Sequence, residues 1–344
     1  MAPAAALPSY QASQQQRPRS ADSATCVLSR SAAGQCDGIA DDTAALRQAL
    51  ARCSAQRQGV EVAAGANCTV GPITLPSHSS LRVTGNLQAL PRAAWPRPPN
   101  GTHVPDFIAS ISTTNITITG TGKIDGRGHE WYPGAWYKPE DPGNRPKMLS
   151  LGNSSNVLLE GVTMLNAASF HIDIGDCGAL TDGGLPSHGT DRCGICENYT
   201  LRYLTIRSPS FEKARNTDGI DIAARNVHVH DCDVSNGDDS LCIKSPASNV
   251  LIENSTVRQG NGLVIGTSAD AAIENIVFRN IVADDTTFGC HIKFRPDQAG
   301  FVRGVLFENV SVYQSERAYL RRIVDPVRAC GNNLYAFHGN FFSF

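Results

Sequence analysis

One phrase recurs along this chain and constrains its fold: an asparagine, a run of alternating aliphatic residues, and then polar residues. Its copies begin at Asn115, Asn156, Asn226, Asn249 and Asn275, with a last copy near Val302. The steps from Asn226 to Asn249 and from Asn249 to Asn275 are 23 and 26 residues. Repeats of roughly 20 to 50 residues indicate stacked units that share one continuous core.

The repeated unit is strand-like, and no helical pattern separates its copies. The sequence therefore predicts an all-β protein, a parallel β-helix with one coil per repeat. A β-sandwich offers alternating strands but not the same phrase at the same period. Length alone favours about two domains, but the repeat predicts a single domain over residues 26–314. A disordered tail is predicted at 1–25, and an irregular, possibly truncated segment at 315–344, where the repeat is lost.

The stretch DDTAALRQALARC carries the helical signal in the first part of the chain. It predicts a helix over about residues 42–53, in which Leu46, Ala49 and Leu50 follow the helical period. Asp42 or Thr43 can cap its first turn. Because it precedes the repeats, this helix is expected to cap the open end of the solenoid.

Charge and cysteine content bound the partners and the compartment. A net charge of -2 gives no global basic field for nucleic acid, and the apolar runs are shorter than the ~20 residues of a membrane span. Eleven cysteines and seven Asn-x-Ser/Thr sequons predict a secreted, extracellular or cell-wall protein, although no signal peptide is evident at residues 1–20. Cys193 and Cys196 are interpreted as a local disulfide or loop staple, since no second pair accompanies them.

The stretch NGDDSLCIK places Asp238 and Asp239 side by side against an apolar run, where adjacent carboxylates repel. In a β-helix, residues one coil apart lie about 4.8 Å apart. Asp218 precedes Asp239 by 21 residues, Asn261 follows it by 22, and Lys293 lies about one long coil further on. The spacing therefore predicts three carboxylates on one face, with a lysine beyond them.

Three close carboxylates make one of them retain its proton near neutral pH. An acid beside carboxylates is the equipment of a glycosidase. Two alternatives stay open from the residues alone: a simple Asp-Asp turn, and a calcium site of the kind a lyase uses. His171 is interpreted as a structural histidine.

The order of these motifs resembles the polygalacturonase family of pectin-degrading glycoside hydrolases. N-T-D ends at Asp218, G-D-D ends at Asp239, G-x-G spans 260–262, and x-I-K ends at Lys293. The stretches DGIADDTAALRQAL and GTGKIDGRGHEWY agree with it, and the resemblance covers roughly residues 36–313.

The resemblance implies a right-handed parallel β-helix of the pectin-lyase-like type that hydrolyses α-1,4-galacturonosyl bonds with inversion, without metal or cofactor. It implies that Asp238 is the general acid and that Asp218 and Asp239 activate water, across a separation of roughly 6.5–9.5 Å. The implied partner of this monomer is a pectic polysaccharide, galacturonan or rhamnogalacturonan. The substrate-binding positions that it implies are Asn216, Asn261, His291 and Lys293.

Two positions depart from the family pattern. The family's G-H-G carries Asn261 here, and its R-I-K carries His291, so the hold on a galacturonate carboxylate is expected to weaken. Two alternatives follow: a rhamnogalacturonan hydrolase of the same family, or a catalytically impaired pectin-binding paralogue. The intact N-T-D and G-D-D carboxylates favour a polygalacturonase.

Overall fold

The chain winds into a parallel β-helix in which successive coils add strands to three stacked sheets. This computed structural model describes residues 26–31, 35–98, 104–132, 145–175, 196–266, 272–294, 300–315, 317–323 and 335–338. Within those ranges the paired strands are parallel, and the repeated strands of the first sheet keep one register from coil to coil. The predicted fold class is confirmed.

The first sheet contains β1 (Cys26–Leu28), β3 (Gly59–Val62), β6 (Ser80–Val83), β9 (Thr114–Thr119), β12 (Ser155–Glu160), β15 (Glu197–Arg202), β18 (Arg225–His230), β21 (Ala247–Arg258), β23 (Ala272–Asp284), β25 (Phe301–Tyr313) and β27 (Tyr335–His338). The second contains β2 (Asp37–Asp41), β4 (Asn67–Val70), β7 (Asn86–Ala89), β10 (Lys123–Asp125), β13 (Thr163–Leu165), β16 (Thr205–Arg207) and β19 (Asp233–Ser235). The long strands β21, β23 and β25 continue it, because each of them spans both sheets.

The third sheet contains β5 (Ile73–Thr74), β8 (Ile108–Ile111), β11 (Leu149–Gly152), β14 (Ile172–Ile174), β17 (Ile220–Ile222), β20 (Leu241–Ile243), β22 (Leu263–Ile265), β24 (Phe288–Phe294) and β26 (Arg317–Ile323). Two short 3-10 helices, Arg92–Ala94 and Gly128–Glu130, lie in the connections. In the middle of the third sheet, β14, β17, β20 and β22 are only three residues long. The turns beside these strands therefore fix the positions of the polar side chains.

The recurring asparagines form a ladder at the entry to the first sheet. Asn156, Asn198, Asn226, Asn249 and Asn275 all have φ between 55° and 62°, a left-handed conformation that asparagine tolerates better than most residues. From Asn198 onward, each side-chain Nδ2 donates to the Oδ1 of the asparagine one coil earlier, over 3.1–3.3 Å. This asparagine ladder is the physical reason for the sequence repeat.

Columns of aliphatic side chains fill the interior. In the third sheet Ile220, Leu241 and Leu263 are in register with Cys290, and all four are fully buried. Burial of one such aliphatic side chain contributes about 1.5–3 kcal/mol. The strand alternation leaves the middle residue of each three-residue strand facing outward, and this outward face carries the polar clusters.

A helix, α1 (Thr43–Ala55), covers the N-terminal end of the coils and buries Leu46, Leu50 and Cys53. Asp42 occupies its N-cap position, but the Asp42 carboxylate instead accepts from the backbone N–H groups of Cys36 (2.9 Å) and Thr69 (3.1 Å). It therefore ties the helix to the second sheet. The described chain has no helix with the length and apolar character that a membrane crossing requires.

Disulfides Cys26–Cys53 and Cys36–Cys68 link this N-terminal cap to the first coils. The described cysteines further along, such as Cys196, are buried thiols, and Cys193 lies outside the described residues. The predicted tail at 1–25 also lies outside them. Of the segment 315–344, predicted to be irregular, the structure describes β26 and β27, which extend the third and first sheets.

Candidate active site

The polar clusters occupy four consecutive strands of the third sheet. β17, β20, β22 and β24 pair in parallel order, so the turns that precede them lie side by side. Gly219 N–H donates to the Asp239 carbonyl (2.8 Å), so the backbone hydrogen bonding between coils continues into these turns. The coil spacing read from the sequence is confirmed.

Asp218, Asp238 and Asp239 converge, with one carboxylate oxygen from each lying within 4.8 Å of the others. Asp218 and Asp239 are each 4% exposed, whereas Asp238 is half-buried and lies nearest the surface. The expected separation of roughly 6.5–9.5 Å between acid and base is wrong for these atoms. Residues in adjacent turns of stacked coils are simply too close to be that far apart.

Asp239 is held as a carboxylate. Lys293 Nζ bonds both of its oxygens, at 2.7 and 2.6 Å, and Asn261 Nδ2 donates to Oδ1 over 3.0 Å. Burial acts to raise the pKa of Asp239, but the Lys293 ammonium outweighs it and holds that pKa below its usual range. Lys293, predicted to bind substrate, therefore also pairs with one of the predicted acids.

Asp238 accepts hydrogen bonds on both oxygens. Asn216 N–H donates to Oδ2 (3.0 Å), while Asn261 Nδ2 (3.1 Å) and the Asp239 N–H (3.0 Å) donate to Oδ1. These bonds oppose protonation, yet burial and the neighbouring Asp239 charge raise the pKa of Asp238 above its usual range. Asp238 can thus retain a proton where an isolated aspartate would lose it.

Asp218 is buried among other carboxylates, and its pKa is strongly raised. Burial, followed by the charges of Asp221 and Asp238, raises its pKa well above the usual range. Its backbone carbonyl accepts from the His171 N–H (2.8 Å) and faces the His171 ring Nδ1 (3.0 Å). Burial lowers the pKa of His171 to about 4, so this ring is a neutral structural group, as the sequence predicted.

Asn261 and Asn216, which were predicted to bind substrate, both contact the acids. Asn261 bridges Asp238 and Asp239 through one amide nitrogen. His291 is different: it is 5% exposed and its ring packs against Phe288, with centroids 4.3 Å apart. Its position does not support a role in contacting substrate.

Sequence reasoning missed the residues that hold the turns. Buried Asn236 donates through Nδ2 to the carbonyls of Thr217 and Asp239 (3.0 and 2.9 Å), which ties one turn to the next. Arg145 donates to the Arg215 carbonyl over 3.0 Å. The Thr217 and Arg215 carbonyls lie on other coils, so no local pattern signals these contacts.

Lys244 lies near the acids in the sequence, and its setting matches that of Lys293. It follows Ile243 as Lys293 follows Ile292, and these two isoleucines lie in one row of the third sheet. The Lys244 ammonium bonds the fully buried carboxylate of Asp221 over 2.5 Å. Two parallel Ile-Lys pairs therefore place two ammonium groups along the same edge of this face.

The donors around the three aspartates do not suit a metal ion. The Lys293 ammonium covers both oxygens of Asp239, and Asn261 Nδ2 points at Asp238 and Asp239. A calcium ion needs 6–8 oxygen ligands, and here a fixed positive charge and an N–H donor occupy the space. The calcium interpretation is not supported by this donor set.

A parallel β-helix that gathers three carboxylates of unequal pKa on one outer face carries the acid and base that glycoside hydrolases use. The comparison with protein families then specifies the family. The model of glycosyl hydrolases family 28 matches residues 53–185 and 192–319. The chain belongs to this family.

Curated relatives and solved structures agree with this placement. An endo-polygalacturonase of Pectobacterium carotovorum subsp. carotovorum is 29% identical over 297 residues, covering 78% of this chain and 68% of the relative. A probable polygalacturonase of Arabidopsis thaliana is 28% identical over 289 residues, covering 80% and 56%. The chain thus spans about two thirds of the bacterial relative and little more than half of the plant one.

The fold also matches a solved hyperthermoactive exopolygalacturonase from Thermotoga maritima. The TM-score is 0.73 at 20% identity, covering 93% of this chain and 81% of that one. At this identity the match shows the fold.

Proposed function

We propose that this protein hydrolyses α-1,4-galacturonosyl linkages of pectin, as a polygalacturonase. The observation that carries the proposal is the convergence of Asp218, Asp238 and Asp239 within 4.8 Å, with Lys293 bound to Asp239. The names of the bacterial and plant relatives support the substrate class. Family membership supports the reaction type.

In this mechanism Asp238 donates its proton to the glycosidic oxygen as the bond from that oxygen to the anomeric carbon breaks. A water molecule held between Asp218 and Asp239 attacks the anomeric carbon, and its proton passes to the Asp239 carboxylate. Asp238 is suited to the first role because it is the least buried of the three and its pKa is raised. Asp239 is suited to the second because Lys293 keeps it ionised.

Inversion of the anomeric centre is part of the proposal, although the short separation of the acids is closer to that of retaining enzymes. A retaining nucleophile must touch the anomeric carbon. Asp218 and Asp239 are each only 4% exposed, so a water molecule reaches them more readily than a pyranose ring does. The anomer first released, read by proton NMR, distinguishes the two outcomes.

Asn261 favours an active hydrolase over an impaired pectin-binding paralogue. Its amide bridges Asp238 and Asp239 at 3.1 and 3.0 Å, so the acids keep a hydrogen-bond donor between them.

We further propose a secreted monomer acting on pectic polysaccharide. The disulfides of the N-terminal cap support export into an oxidising compartment.

The test is reducing-end release from polygalacturonate by wild-type protein and by Asp238→Asn. We expect the variant to lose about 10²–10⁴-fold in kcat, the usual contribution of a positioned acid. Asp231→Asn is the matched control, since Asp231 is exposed at the junction of the first and second sheets and has a φ of 54° that asparagine adopts readily. Full activity in Asp238→Asn would contradict the assignment.

A further inference from the structure

A second group of side chains lies on the same face, on the N-terminal side of the acids. Phe170 precedes β14 by two residues, as Asp218 precedes β17, and His171 N–H donates to the Asp218 carbonyl. The Phe170 backbone therefore lies one coil, about 4.8 Å, from Asp218. Its ring is half-buried, and so keeps part of its surface open to a molecule in contact with the acids.

Two ammonium groups lie close to this ring. Lys244 Nζ is 4.6 Å and Lys147 Nζ is 5.6 Å from the centroid of Phe170, within the range of cation–π attraction. Lys147 comes from the coil before Phe170, and Lys244 from two coils after it. The chain thus brings an aromatic face and two cations together from three different coils.

In this group each lysine is paired with an aspartate that is more deeply buried than the lysine. Lys147 is paired with Asp173, and Lys244 is paired with Asp221. The side chains of Asp173 and Asp221 are 7% and 0% exposed, whereas those of Lys147 and Lys244 are 20% and 30% exposed. The carboxylates therefore lie beneath and the ammonium groups above, so the surface presented outward is cationic.

A half-exposed aromatic ring flanked by cations selects for one kind of ligand. The ring offers an apolar surface to the C–H face of a pyranose. The ammonium groups offer charge-assisted hydrogen bonds to a carboxylate. A uronic acid carries both features on one residue, whereas a neutral hexose carries only the first.

We propose that Phe170, Lys147 and Lys244 form a subsite that binds a uronate residue of the polysaccharide beside the cleavage point, on the N-terminal side of the acids. The subsite rests on the proposed function and deepens it. It makes the anionic character of the substrate a requirement at a second position, separate from Lys293. Removing a charge there should weaken binding more than it slows the chemical step.

The decisive variant is the pair Lys147→Met with Asp173→Asn, which removes both charges of this ion pair. The nearby Asp106 carboxylate keeps its hydrogen bonds from Ser150 Oγ and from the backbone N–H of residue 147. We expect KM for a defined galacturonate oligomer to rise roughly tenfold, since a hydrogen bond to a charged group is lost, with a smaller change in kcat. If Lys147 only neutralises Asp173, the paired variant keeps the wild-type KM, and the proposal is overturned. Thermal unfolding confirms that the variant is folded.

A binding measurement separates this proposal from the proposed function. In an Asp238→Asn background, calorimetric titration with the galacturonate oligomer should show the same roughly tenfold loss for the paired variant and for Phe170→Leu. Lys123→Met, on an exposed residue of the second sheet, should bind as the parent does. Turnover of polygalacturonate by wild-type with equal binding by all variants rejects the subsite alone, whereas absence of turnover by wild-type rejects the proposed function.

Discussion

Asp238 and Asp239 are chemically identical neighbours in sequence, and their contacts give them opposite protonation preferences. Asp239 meets the Lys293 ammonium on both oxygens, whereas Asp238 meets only hydrogen-bond donors. Burial raises the pKa of both, and only at Asp239 does a cation reverse the direction. A single lysine from two coils further on therefore distinguishes the acid from the base.

Replacing Lys293 should change the pH dependence of turnover. With the ammonium present, the pKa of Asp239 is lowered, so activity persists as pH falls past the usual aspartate value of about 3.9. In Lys293→Met burial acts unopposed, the pKa rises, and the acidic limb of kcat should move up by about 1–3 pH units.

The measurement is a pH–rate profile at saturating polygalacturonate, because kcat reports groups in the bound state. Lys123→Met serves as the control for loss of a lysine charge elsewhere. An acidic limb at the wild-type position, with only KM altered, would mean that Lys293 binds substrate and does not keep Asp239 ionised.

At this scale the sequence predicted the acids well and their support poorly. Asp218, Asp238 and Asp239 were predictable because their spacing matches one coil. Asn236 and Arg145 were not, since they bind backbone carbonyls that only the folded coils bring near. The substrate-binding role of His291 stays a prediction, and its packing against Phe288 could not be read from a motif position.

Among the elements, the asparagine ladder fixes where each coil enters the first sheet. Asn198 donates to Asn156 and accepts from Asn226, at 3.1 and 3.3 Å. Its φ of 62° is left-handed, which costs most side chains roughly 1–2 kcal/mol. Register of the strands that carry the site depends on rungs of this kind.

Asn198→Ala should therefore lower the free energy of unfolding by about 2–4 kcal/mol, from two lost hydrogen bonds and the backbone conformation. Asn198→Gly loses the same bonds but tolerates the positive φ, so it should lose less. Urea unfolding followed by far-UV circular dichroism gives both values. Equal stability of wild-type and Asn198→Ala would show that the ladder contributes nothing at this rung.

The left-handed backbone positions of the coils also change what the sequons mean. Asn115, Asn153, Asn198, Asn254 and Asn309 all have positive φ at coil positions. A β-branched or hydroxyl residue two positions later belongs to the strand that follows. Five of the seven sequons thus arise from the repeat itself, and their number is weaker evidence for secretion than it seemed from sequence alone.

For the whole molecule, the N-terminal cap closes one end of the solenoid through α1, Asp42 and the two disulfides. Cys36 and Cys68 are 32 residues apart. A cross-link of this span stabilises a fold by about 2–4 kcal/mol, chiefly by restricting the unfolded chain. The cap therefore depends on oxidation as well as on packing.

Reduction with dithiothreitol should lower Tm, because the unfolded chain regains the freedom that the bridges removed. Differential scanning calorimetry with and without reductant measures the change. The Cys36→Ala, Cys68→Ala double variant should respond less to reductant, since one bridge is already absent. An unchanged Tm after thiol titration has verified complete reduction would contradict this role for the bridges.

The period predicted the global architecture, because coils that stack must repeat. It failed where the pattern weakens: β26 and β27 pair with the third and first sheets although their sequences lack the repeated phrase. In those strands backbone pairing with the preceding coil continues the sheets without the alternation that the prediction requires. A strand that forms because it pairs with a neighbouring coil cannot be predicted from its local sequence pattern.

The stacking of the site across coils limits how such a chain can lengthen during evolution. Duplication of one coil between β20 and β24 would move Lys293 by about 4.8 Å, which breaks its 2.6 Å contact with Asp239. Duplication of a coil before β11 would leave the acids, Phe170 and both nearby lysines in place. The molecule can therefore gain length at its N-terminal end, while the coils from β11 to β24 are fixed in number.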